Sequence, residues 1–126
     1  MAPARTPDGH HVVVDGRRWR ASDLGLPDGL RQELVNELMA ARRGVRAAGD
    51  DEGAERAARD RVQDAKVALG ERGPVWWEPM GEDDLEHRRE ATARALARTR
   101  SQPVDDADVR ADAELAVAHL EVVAAD

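Results

Sequence analysis

The chain is predicted to be a mainly helical α+β protein, with an N-terminal β-hairpin packed on an antiparallel helical hairpin and two further helices after it. Three features carry this expectation: an Asp15-Gly16 pair between two short runs, two successive amphipathic stripes broken near residue 50, and a Pro/Gly-rich connector ahead of two more helical segments. Its 126 residues suit one domain. Alanine supplies 23 of the apolar residues, and Phe, Tyr, Ile and Cys are absent. The interior must therefore be small and made mostly of Leu, Val and three Trp.

Residues 1–9 read as a disordered arm. Asp15-Gly16 is a strong hairpin signal, because a type I′ turn needs positive φ at both central positions. Strands are predicted over 10–14 and 17–21. A two-residue loop pairs Val14 with Arg17, Val12 with Trp19 and His10 with Ala21, so alternation collects Val12, Val14, Trp19 and Ala21 on one face. A lone hairpin is marginal in water. That face is therefore expected to lie against a helix, with Trp19 buried.

The first helix is predicted over 28–48, with Pro27 in its opening turn, Asp28 favouring its N-terminal dipole and Gly49 ending it. Its stripe is Leu30, Leu34, Leu38, Ala41 and Val45. A second helix starts at Asp50 or Asp51 and runs to Leu69, ending at Gly70. Its stripe of Ala54, Ala58, Val62, Ala65 and Leu69 is thin enough for close approach in an αα-hairpin. Residues 10–78 thus read as a core module and 79–126 as an acidic helical extension. In that extension, helices are predicted over 82–99, mostly solvated and laced by Asp84/Arg88 and Glu90/Arg94, and over 104–124.

The connector "GERGPVWWEPMGED" cannot continue a helix, yet it carries Trp76 and Trp77. One indole is expected to close the core beneath the hairpin while the other covers an edge, with an exposed partner contact as the alternative.

The net charge is −7, and residues 101–126 alone hold seven acidic residues against one basic. This argues against general phosphate-backbone binding. The one basic cluster that suggests nucleic acid is Arg17, Arg18 and Arg20 around Trp19, together with Arg42, Arg43 and Arg46. Its structural alternative is that the last three favour the first helix's C-terminal dipole and face the acidic start of the second. No run of about 18 apolar residues predicts a membrane span. The N-terminal stretch lacks a signal peptide's apolar segment, so a cytoplasmic location is expected.

The blocks "DGRRWRASD", "LRQELVNELMAARR" and "RVQDAKVALGERG" followed by "WW" resemble a family of small uncharacterised proteins from high-GC bacteria, some automatically labelled biopolymer transporter Tol. The resemblance covers roughly residues 9–78 and implies no catalytic residue, cofactor or ligand. The membrane segment and propeller repeat that the label suggests are not evident in the sequence.

Catalytic chemistry finds little support. There is no Cys nucleophile, no G-x-S-x-G and no glycine-rich phosphate loop opening a helix. Asp84, His87 and Glu90 share one helical face, but without a metal-site pattern they read as solvated. No catalytic, cofactor or metal residue is therefore assigned. The leading expectation is a non-catalytic protein-interaction or accessory module, with Arg17, Arg18, Arg20, Trp76 and Trp77 as candidate partner contacts. Self-association through the last helix is the accompanying possibility. The alternative is a nucleic-acid-associated protein using the Arg17 to Arg20 edge.

Overall fold

A computed structural model of the chain describes residues 4–101. Its elements are β1 (Ala4–Arg5), β2 (His11–Val14), β3 (Arg17–Arg20), α1 (Asp28–Ala47), α2 (Glu52–Leu69) and α3 (Glu82–Ser101). The fold class is α+β and mainly helical. The helix predicted over 104–124, and with it the self-association surface, lies outside the described residues.

The hairpin forms in the expected register, with Val12 opposite Trp19 and Val14 opposite Arg17. Asp15 and Gly16 take φ of 51° and 76°, the two positive values a type I′ turn demands. Residues 4–9 depart from the disordered arm read from the sequence. Ala4 and Arg5 pair antiparallel with Val13 and Val12, making a three-stranded sheet of order β1-β2-β3. The Thr6 hydroxyl holds the connecting turn by donating to Asp8 at 2.6 Å, and Asp8 also accepts from the His10 N–H at 3.0 Å. This strand was missed because a two-residue strand has no alternation to read.

The helices begin and end on local chemistry. Asp51 caps α2 by accepting from the Ala54 N–H at 3.0 Å. Gly70, at φ 84°, closes it in the left-handed region while the Glu71 N–H reaches back to the Lys66 carbonyl. Pro27 flanks α1 as its N-cap instead of lying inside its first turn. Leu34, Leu38, Ala65, Ala68 and Leu69 form the core between α1 and α2. A methyl placed on Gly44 would stand 3.3 Å from the Ala58 Cβ, the close approach that small residues permit.

α3 packs on the same core. Ala91 and Ala95 are fully buried, and Ala95 joins the Leu34 cluster. Nor do its arginines make the intrahelical pairs read from i,i+4 spacing. Arg88 pairs with Asp23 at 2.8 Å and donates to the Ala68 carbonyl, while Arg94 takes Asp64 of α2 bidentately at 3.0 and 3.1 Å. Arg98 binds the same carboxylate. A carboxylate largely withdrawn from water, whose oxygens accept from the guanidinium, outcompetes a solvated neighbour on the same helix.

Burial pushes the Asp64 carboxyl up, but the hydrogen bonds and charges of Arg94 and Arg98 outweigh it and hold the group below its ordinary 3.8. The folded state therefore binds this proton less readily than the unfolded chain. Asp64 contributes stability above the ordinary carboxylate pKa, and that contribution disappears as pH falls through the lowered folded value. Urea titrations below about pH 4 are expected to show a steeper acid loss for the native protein than for Asp64→Asn. Equal slopes would mean that the α2–α3 clamp contributes nothing to acid stability.

Candidate functional site

The sheet joins the helices through the connector, not through its apolar face. Among the described residues no strand Cα lies within 8 Å of a helix Cα. Instead the chain leaves β3 at buried Ala21, whose carbonyl accepts the Trp76 indole N–H at 2.9 Å. The Asp23 N–H then bonds the Leu69 carbonyl at the end of α2. Trp76 packs so closely on Gly70 that a Cβ there would fall 2.9 Å from its Cδ1. At this one position glycine is required twice, for its positive φ and for the space.

Trp77 completes the staple. The His10 ring stacks on it at 4.1 Å and 8°, Trp76 meets it edge-on at 5.3 Å, and Arg20 approaches it at 5.9 Å. Arg20 also donates to the Gly73 carbonyl at 2.8 Å. The structure therefore brings together three candidate contacts, Arg20, Trp76 and Trp77, but engages them in holding the sheet on the connector. Both connector indoles are half-buried. His10, which did not stand out in the sequence, is the fourth member of this cluster.

Arg17 and Arg18 lie at the other end of the hairpin, in the open. Arg17 covers one side of the Trp19 ring at 4.3 Å, and Arg18 reaches His11 Nδ1 at 3.4 Å. Trp19 is not buried as expected: it is 44% exposed, and Val14 beside it 41%. Period-two alternation correctly identified the apolar face, but it carries no information on whether another element covers that face. Here the connector takes up the sheet's end and leaves the face free.

β3 is also an edge strand. The Ala21 N–H bonds the His10 carbonyl, so alternation directs the backbone groups of Arg18 and Arg20 away from β2. Edge, indole and guanidinium thus form one surface.

Two grooves mark the helical part. One, about 470 Å³, lies between the start of α1 and α3 and is walled by Leu26, Leu30, Leu85 and Leu96, with the Asp23–Arg88 pair at its rim. The other, about 580 Å³, runs between α1 and α2 and gathers Arg42, Arg46, Arg59, Lys66 and Arg72 around one carboxylate, Asp60. Arg42, Arg43 and Arg46, read as facing the acidic start of α2, make no ion pair with it among the described residues. Asp51 caps its helix and Glu55 pairs with Arg59 at 2.8 Å.

Among the described residues no three of His, Asp and Glu come together as metal ligands, Asp84, His87 and Glu90 included. No described helix is long and apolar enough to cross a membrane. No family model, curated protein or solved structure matches the chain.

Proposed function

We propose that this chain is a non-catalytic binding module of the bacterial cytoplasm that takes a protein partner on the open face and edge of its sheet. The observation that carries this reading is Trp19, a large indole left outside on a strand no helix covers. Uncovered aromatic surface rimmed by arginine is characteristic of contact sites, where Trp and Arg dominate binding energy. The outward backbone groups of β3 add the means to pair with an extended segment, and Arg17 and Arg18 favour an acidic one.

Two features favour a protein over nucleic acid. Arg17 occupies one side of the indole on which a base would stack, and Arg20 is tied to Gly73. The non-catalytic reading draws support from the buried carboxylates, since Glu37 and Asp64 are each held by arginine in a bidentate pair. Kinship with the high-GC bacterial proteins is part of the same proposal and rests on the three sequence blocks.

Trp19→Ala is expected to cost about 1 kcal/mol or less, the scale of an exposed cation–π and cross-strand contact, while abolishing partner capture. A photoreactive residue at exposed Val14, with Trp19 kept, should yield discrete protein adducts in cells, suppressed by Arg17→Glu, whereas one at exposed Arg56 should not. Adducts to RNA or DNA at position 14 would transfer the surface to nucleic acid. Absence of adducts there would refute a contact role.

A further inference from the structure

We propose that the groove between α1 and α2 is a second, independent site, which binds a small anion carrying two or more phosphate groups. The α1 wall presents Arg42 and Arg46, one turn apart on one face; the α2 wall presents Arg59 and Lys66; Arg72 closes the end. Arg59 is paired with Glu55, and Arg72 donates to the neutral Gln63 amide oxygen at 2.8 Å. Arg42, Arg46 and Lys66 have no ion pair among the described residues. By contrast Arg61 of α2 and Arg88, Arg94 and Arg98 of α3 all have carboxylate partners.

Gathering five cations around the single carboxylate of Asp60, with Arg59 alone among them ion-paired, works against the fold. Burial first, then the charge of Arg72, depress the Lys66 ammonium below its ordinary range; Glu71 pulls the other way, and Arg42 adds a smaller push downward. Helix dipoles favour Arg46 and Lys66 near their helix C-termini, but they do not favour Arg59, which sits in the N-terminal half of α2. Guanidinium groups match phosphate bidentately, and Arg42, Arg46, Arg59 and Arg72 bring four of them to one groove from exposed positions, beside the partly buried Lys66. Val45 and Val62 add an apolar part to the lining, and about 580 Å³ falls within the range of small-ligand pockets. A compact phosphorylated molecule therefore suits the groove better than a flat macromolecular surface does.

The test uses the full chain and inorganic triphosphate, followed by calorimetry and by backbone amide shifts at physiological salt. Binding is expected to move the amides of Arg42, Arg46 and Lys66, and to weaken about tenfold or more in Arg42→Glu/Arg46→Glu. Both positions are exposed, so the variant keeps the fold; relief of repulsion offsets the dipole contribution lost at Arg46, and its melting temperature is expected to stay close to the native value. A residue kept for structure would lower it. Arg17→Glu/Arg18→Glu, on the sheet, should bind triphosphate as the native chain does. The proposal is overturned if millimolar triphosphate shifts none of these amides, or if the sheet variant loses binding equally. It is also overturned if a mixed-sequence oligonucleotide competes better per phosphate at the same residues.

Discussion

Arg61→Met is expected to destabilise the protein by about 3 kcal/mol, the low end of the range for breaking a buried ion pair, because Arg61 keeps some contact with water. Its partner Glu37 is 0% exposed and receives Nε at 3.0 Å and Nη2 at 2.7 Å. Those are the only hydrogen bonds to its carboxylate among the described residues. Removing the guanidinium leaves a charge sealed between α1 and α2 with nothing to balance it. Replacing both residues by methionine should restore most of the loss, since the penalty belongs to the orphaned charge and not to the absence of a pair. Urea denaturation of the two singles and the double closes the cycle. A double variant as unstable as Arg61→Met would show that side-chain packing, not charge, sets the cost.

Trp76→Ala is expected to cost a similar amount, about 3 kcal/mol, at the low end for truncating a large aromatic because the ring is half-buried. It removes the hydrogen bond to Ala21, the edge-on contacts with Trp77 and His10, and the cover over Gly70. The loss should be local in an informative way. Backbone amides of β2 and β3 are expected to lose exchange protection while those of α1 and α2 keep theirs, since the Trp77–His10 stack and the Arg20–Gly73 bond that remain hold the sheet only to the connector and a short isolated sheet is marginal. Trp76→Phe, which keeps a ring but not the donor, should fall between the native protein and the alanine variant. Uniform loss of protection along the whole chain would mean that sheet and helices unfold as one unit.

What the sequence reveals about this molecule follows from the range of the forces involved. Asp15-Gly16, the Asp51 cap and the Gly70 terminator act within a few residues, and the three described helices begin and end within a residue or two of their predicted limits. The open face of the sheet was not foreseeable, because Val12, Val14 and Trp19 alternate in the same way whether a helix or solvent lies beyond them. The arginines were misread for a related reason. Spacing offered Asp84 to Arg88 and Glu90 to Arg94, but partners 65 and 30 residues away are better desolvated. The basic groove was half visible in Arg42 and Arg46, yet its other wall emerges only once α2 folds back to place Arg59 and Lys66 opposite.

Hydrogen exchange of the tryptophan indole N–H groups, with resonances assigned through single Trp→Phe variants, separates the two roles given to these rings. The Trp76 N–H, bonded to Ala21, is expected to exchange slowly and the Trp19 N–H at close to the rate of free indole. A protected Trp19 beside a freely exchanging Trp76 would place the hairpin face on the helices and remove the binding surface.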